Sequence, residues 1–120
     1  MKTLFVTIVL IISLTVPAIA FNPSHNKLMK MGDWDQRGTL GMGILYAGYD
    51  CQYPKMAFFQ GLDKNETAYW SLDCETRSFQ ITIKNDADGK MTVVPCDKLY
   101  PSEVPCFTPL EKWDSKNDKN

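Results

Sequence analysis

Four cysteines are the side chains of this 120-residue sequence whose type most clearly indicates chemistry: Cys51, Cys74, Cys96 and Cys106. In an oxidising compartment the cysteines of a small domain form disulfides, whereas in a reducing cytosol they are more often metal ligands or redox thiols. Four cysteines also allow three pairings. The rest of the sequence must therefore supply both the compartment and the pairing.

Nucleophilic or metal-assisted catalysis has few candidate residues. His25 is the one histidine of the sequence, and a serine or cysteine nucleophile needs such a base within hydrogen-bond reach. On a helix, His25 and Met29 would share a face and offer imidazole and thioether ligands to Cu(I), although packing is the commoner role of a methionine. We predict no catalytic residue, no metal ligand and no cofactor.

Paired carboxylates are the remaining candidates for catalysis. Asp33 with Asp35, and Asp73 with Glu75, are close enough in sequence for the acid/base chemistry that glycosidases use. Helix capping and turn solvation explain the same residues more simply. A small exported enzyme that uses carboxylates is therefore the alternative to a non-enzymatic protein.

The first 20 residues have the pattern of a secretory signal peptide. Lys2 precedes an apolar run over residues 4–16, and Ala18 and Ala20 occupy the small-residue positions before a cleavage site at Phe21. An uncleaved membrane anchor is the alternative, because the run approaches the length that spans a bilayer. Cleavage predicts a periplasmic or secreted protein with paired cysteines and no stable membrane insertion.

The remaining residues are enough for one domain. Residues 21–110 are predicted to form a single small domain, and the polar residues 111–120 a mobile tail. A hydrophobic content of 44% is typical of globular chains, and the net charge of −1 gives no indication of nucleic-acid binding.

Two short helices are predicted near the mature N-terminus. Capping residues at 22–24 favour a first helix that Gly32 ends in a left-handed conformation. Asp33 or Asp35 then caps a second helix that continues to Tyr49. Several glycines lower the helix propensity of this segment but would allow its backbone to approach a sheet closely. They are Gly38, Gly41, Gly43 and Gly48.

Four strands follow, because the apolar period changes from helical to alternating. Trp70, Phe79 and one of Phe58 and Phe59 are predicted to fill the core. The predicted fold class is α+β, with the two N-terminal helices packed on a disulfide-stabilised, four-stranded antiparallel meander. The predicted strands are residues 56–62, 67–74, 78–84 and 91–95.

The predicted strand order constrains the disulfides. Cys51 precedes the first strand and Cys74 ends the second, so the two lie at the same end of neighbouring strands. Cys96 reaches the same end but is two inter-strand spacings, about 9.5 Å, from Cys74, beyond the roughly 7 Å limit for a disulfide. The order favours Cys51–Cys74 and Cys96–Cys106 and leaves the other pairings open.

The polar side of the sheet is the predicted binding face. Alternation places five residues there, away from the core residues of the same strands. Tyrosine is a favoured anchor in binding surfaces because it brings large contact area at little cost in side-chain entropy. The five residues are Tyr69, Ser71, Gln80, Thr82 and Lys84.

Function is predicted only at the level of a class. The motifs over residues 69–74, 77–79, 88–89 and 93–96 resemble short exported bacterial proteins of unknown function, and the element order is similar to small exported inhibitor modules. We expect a protein-binding or inhibitory module whose partner is another exported or envelope protein. A structural cell-envelope role is a further alternative. Asn65 begins a glycosylation sequon whose use depends on the source organism.

Overall fold

The computed structural model describes residues 22–117, and the predicted signal peptide lies outside this range. The described residues form three α-helices, of which none is long and apolar enough to cross a membrane. The helices are α1 (Pro23–Met29), α2 (Asp33–Tyr46) and α3 (Leu110–Asn117).

The four strands form one antiparallel sheet in the order β1-β2-β3-β4. Each strand pairs with the next along the chain, which confirms the predicted meander. The strands are β1 (Met56–Leu62), β2 (Ala68–Asp73), β3 (Ser78–Ile83) and β4 (Met91–Pro95).

The core lies between the sheet and the first two helices. Trp70 and Phe79 are buried in it as predicted, and Phe59 rather than Phe58 packs against it. Each fully buried side chain of this size stabilises the fold by about 1.5–3 kcal/mol. The helices contribute Leu28, Leu40 and Ile44, and the strands add Ala68, Leu72, Ile81 and Ile83.

Glycines end α2 and bring it close to the sheet. Gly48 has a φ of 94°, and its N–H donates to the carbonyl of Leu45 at 3.0 Å, while the N–H of Tyr49 donates to Ile44 at 3.1 Å. These two bonds are the Schellman motif, so the helix ends at Tyr46, earlier than predicted. The close approach that the glycines were expected to allow occurs at Gly43.

The prediction that Gly32 ends α1 in a left-handed conformation is wrong. Gly32 has φ −68° and ψ 164°, which is extended backbone, and it is the N-cap residue of α2. Lys30, in a right-handed conformation, ends α1 instead. The two helices therefore have separate capping residues, and Gly32 lies in the short connection between them.

Two disulfides tie the sheet to the segments on either side of it. Cys51 is bonded to Cys74 and Cys96 to Cys106, with Cα–Cα distances of 5.2 Å and 5.8 Å. The pairing is the one that the strand order favoured. Each bond contributes about 2–4 kcal/mol in a domain of this size, and together they indicate a non-reducing compartment.

Part of the segment predicted to be a polar tail is helical and belongs to α3. Leu110 is buried and packs on Gly61 of β1, where an added Cβ would lie 3.2 Å from the Leu110 Cβ. Residues 111–117 continue that helix. The mobility expected of residues 111–120 stays a prediction.

Candidate functional site

The polar face of the sheet is covered by residues 96–109, which run from the end of β4 to α3. We call this segment the strap; the Cys96–Cys106 disulfide closes it into a loop. Ser71 and Gln80 are buried beneath it. The predicted binding face is therefore not open to solvent at these two residues. Alternation fixes the direction of a side chain, but it does not show whether another segment lies on top of it.

A β-bulge supplies the first hydrogen bonds to the strap. The register shifts between Phe59 and Gly61, which leaves Gln60 unpaired in the ladder. The Gln60 side-chain amide donates to the carbonyl oxygens of Pro105 and Thr108 at 2.8 and 3.0 Å. The bulge thus converts one residue of β1 into an attachment point for the strap.

Ser71 and Gln80 complete this buried polar network. The Ser71 hydroxyl donates to Gln60 Oε1 at 2.9 Å and accepts the Phe107 N–H at 2.9 Å. The Gln80 amide donates to Gln60 Oε1 at 3.2 Å and to the Val104 carbonyl at 3.0 Å. Because these groups are bonded to one another and to the strap, their burial does not carry the penalty of unpaired polar groups.

The other residues of the predicted binding face lie outside this network. Tyr69 and Thr82 are half-buried and, with Gln80, line a cleft of about 390 Å³ between the sheet and the strap. Lys84 is exposed beyond the end of β3. The five residues therefore do not form one continuous surface.

His25 anchors α1 to the sheet. Its ring is 4% exposed, its Nδ1 accepts the Trp70 Nε1–H at 3.1 Å, and it stacks on Phe59 at 4.7 Å. Burial lowers the pKa of His25, and because Nδ1 accepts a bond, the neutral ring carries its proton on Nε2. His25 is thus a buried residue of α1.

No metal site accompanies His25 in the described part of the chain. Met29, proposed above as its companion ligand, is an exposed residue at the end of α1. Among residues 22–117, no three histidine, cysteine, aspartate or glutamate side chains are grouped to hold an ion. The hydrogen bond of His25 to Trp70 therefore stands as a structural contact.

The paired carboxylates have structural partners. Asp33 and Asp35 lie in the first turn of α2, where negative charge stabilises the helix N-terminus. Asp73 accepts the Glu75 N–H at 2.9 Å, and the Glu75 carboxylate pairs with Lys55 at 3.4 Å. These positions and contacts stabilise a helix and a turn, but the prediction that Asp33 or Asp35 caps α2 is wrong, because the N-cap residue is Gly32 and no side chain of the described residues makes a capping hydrogen bond there.

The outer surface of α2 carries exposed apolar residues that the sequence analysis did not identify as a site. Trp34, Met42 and Tyr46 are exposed, and Gly38 lies between them at the same four-residue spacing. These residues form a second apolar stripe on α2, separate from its buried residues. Their four-residue spacing is the sequence pattern that could have indicated this surface. With their neighbours these side chains form the α2 patch: Met31, Trp34, Met42, Leu45, Tyr46 and Tyr53.

A cleft of about 510 Å³ lies at one side of the α2 patch, between α2 and residues 52–55. Trp34 and Tyr53 line it, together with Pro54. Gly38 also lines the cleft, and a Cβ added there would meet no atom within 4 Å. Position 38 therefore has room for a side chain beside the α2 cleft.

Arg37 holds the α2 cleft in shape. Its guanidinium donates to the carbonyl oxygens of Pro54 and Lys55 at 3.1 and 3.3 Å and pairs with Asp33 at 3.1 Å. It also lies 5.3 Å from the centre of the Trp34 ring, a cation–π distance. The helix and the facing segment are thus joined by one side chain, so the cleft exists before any ligand binds.

No protein family, characterised protein or solved structure that was compared with the sequence matches it. No ligand or activity of a similar protein is therefore available to suggest a function for this chain. The exposed residues of α2 and the cleft beside them are therefore the basis on which a function is proposed.

Proposed function

We propose that this protein is an exported, non-enzymatic protein-binding module whose contact surface is the α2 patch. Six of the ten large hydrophobic residues that are exposed in the described part of the chain belong to this patch. Single exposed apolar residues are normal, but a concentration of them is typical of interaction sites. This concentration favours the outer surface of α2 over the polar face of the sheet.

One observation carries the proposal: Trp34 is 79% exposed beside a cleft that is already formed. The fold does not need this side chain, because α2 packs on the sheet through Leu40 and Ile44. Tryptophan and tyrosine are the residues most enriched among binding hot spots, and Tyr46 is 85% exposed on the same helix.

The disulfides and the predicted leader support an exported partner. Both disulfides require conditions that are not reducing, and a signal peptide over residues 1–20 would deliver the chain to the periplasm or the medium. The partner is then another exported or envelope protein. If that partner is an enzyme whose active site the α2 patch covers, this protein would be an inhibitor.

The test is affinity capture from the native compartment with matched variants of the tagged protein. Trp34→Ala removes the main anchor, whereas Tyr100→Ala removes a side chain of similar exposure (72%) in the strap. We expect a partner to be retained by the wild type and by Tyr100→Ala and to be lost with Trp34→Ala. Retention of the same proteins by all three would contradict the proposal.

Light scattering of the purified variants tests whether the α2 patch binds a second copy of this chain rather than a different protein. A partner protein predicts that the wild type and Trp34→Ala are both monomers. A wild-type dimer that Trp34→Ala dissociates would instead mean that the α2 patch binds a second copy of this chain.

A further inference from the structure

Aromatic side chains line the α2 cleft. Trp34 and Tyr53 present exposed aromatic rings, Pro54 lies beside them, and Gly38 contributes backbone without a side chain. Such a surface is complementary to a flat apolar ring on the ligand. A proline ring has this shape, and proline-rich segments dock in grooves lined by aromatic side chains.

Three side chains that line the α2 cleft have hydrogen-bond donors that no described residue accepts. The Trp34 indole N–H, the Tyr53 hydroxyl and the Gln52 side-chain amide donate to none of the described residues. A helix would use most of its carbonyl groups internally, and a β-strand would also bring N–H groups that need acceptors. A polyproline II segment has free carbonyl oxygens, and its prolines have no N–H.

The charged groups of the α2 cleft are already paired. The Arg37 guanidinium lies 3.1 Å from the Asp33 carboxylate, and the Lys55 ammonium lies 3.4 Å from the Glu75 carboxylate. An anionic ligand would be repelled by these carboxylates. The pairing therefore favours an uncharged ligand over an acidic peptide.

From the aromatic lining, the available donors and the paired charges, we propose that the α2 cleft binds an uncharged, proline-rich segment of the partner protein in the polyproline II conformation. This inference rests on the proposed function and adds to it the chemistry of the partner.

Nuclear magnetic resonance of the ¹⁵N-labelled protein tests the proposal with an oligoproline peptide whose termini are blocked. The sequence contains three tryptophans, so the indole region shows three N–H signals. We expect the peptide to shift the Trp34 signal saturably, while the signal of Trp70, which is buried and bonded to His25, does not move. A glycine-serine peptide of the same length should not shift the Trp34 signal.

Matched glycine variants test where the peptide binds. Gly38→Leu fills the α2 cleft, whereas Gly32→Leu adds the same side chain at another open position outside it. We expect Gly38→Leu to weaken oligoproline binding roughly tenfold or more, and Gly32→Leu to leave it unchanged. Melting curves of both variants verify that each is folded.

Three results would overturn this proposal: no saturable shift with oligoproline, an equal shift with the glycine-serine peptide, or unchanged affinity in Gly38→Leu. Competition separates its failure from that of the proposed function. If partner capture depends on Trp34 but oligoproline neither binds nor competes, the binding role of the α2 patch stands and the proline-rich ligand is wrong. If capture does not depend on Trp34, the proposed function fails as well.

Discussion

The polar face of the sheet lies beneath the strap, whereas the outer surface of α2 is exposed within the described part of the chain. Ser71 and Gln80 are polar yet buried, and Trp34 and Tyr46 are apolar yet exposed. The polar residues tolerate burial because Gln60 and the strap backbone satisfy their hydrogen bonds. The apolar residues have no such compensation in the monomer, so removing them from water is favourable on binding.

This difference separates residues that hold the fold together from residues that are available to a partner. Replacing a residue on either face of the sheet should lower stability. Replacing a residue of the α2 patch should change binding and leave stability nearly unchanged. The following predictions test this separation, beginning with the largest expected effect.

Trp70 and Tyr69 are neighbours on β2 that point to opposite faces of the sheet. Trp70→Ala should lower the free energy of unfolding by about 3–5 kcal/mol, because it opens a cavity in the core and removes the hydrogen bond to His25. Tyr69→Ala, at a half-buried position, should cost much less. Denaturant unfolding of both variants measures the difference, and equal losses would contradict the assignment of the core to one face.

Gln60 is the centre of the polar network under the strap. Gln60→Ala should lower the free energy of unfolding by about 1–3 kcal/mol, because it removes the acceptor of one hydrogen bond each from Ser71 and Gln80 and the donor to two strap carbonyls. Gln52→Ala is the control, since Gln52 is exposed and makes no hydrogen bond within the described residues. A Gln60→Ala protein as stable as Gln52→Ala would contradict the contribution of the Gln60 hydrogen bonds to the stability of the fold.

Acid should destabilise the contact between α1 and the sheet. Burial lowers the pKa of His25 in the folded state, so the unfolded chain binds its proton more readily and stability falls as the pH drops below about 6.5. The wild type should therefore lose more stability than His25→Gln between neutral and mildly acidic pH. Unfolding curves at several pH values measure this loss, and parallel curves for the two proteins would contradict it.

The glycines of α2 should give the smallest effects. Gly38→Ala should raise stability by up to about 1 kcal/mol, because the helix gains propensity and the added Cβ meets nothing within 4 Å. Gly43→Ala should raise it less, since its Cβ would lie 2.8 Å from the Met91 sulfur, which must move. Thermal melts compare the two, and a larger gain at Gly43 would contradict the close approach of α2 to β4.

The sequence predicts the sheet well because its information is local. The alternation around Trp70 and Phe79 defines both the strands and their buried face, and short turns leave the meander as the simplest order. That order then brings Cys51 and Cys74 to one end of the sheet. Each of these steps depends on residues that are close in sequence or on neighbouring strands.

The burial of the polar sheet face and the exposure of α2 were predicted less well because they depend on distant residues. The partners of Gln60 in the strap are 45 and 48 positions away, and no local pattern indicates that they meet. The exposed stripe on α2 is interrupted by Gly38. In the sequence this glycine indicates only low helix propensity, and it does not show that the position lines a cleft. Burial of polar groups and exposure of apolar ones are therefore seen only once the chain is folded.

The most direct test of the account is side-chain footprinting by hydroxyl radicals, with and without the captured partner. In the free protein, Trp34, Met42 and Tyr46 of the α2 patch should be oxidised as readily as Tyr100 and Met56, because all five are exposed. In the complex, we expect protection of the three α2 residues and unchanged oxidation of Tyr100 and Met56. Protection of Tyr100 in the strap, with the α2 residues still oxidised, would contradict the assignment of binding to α2.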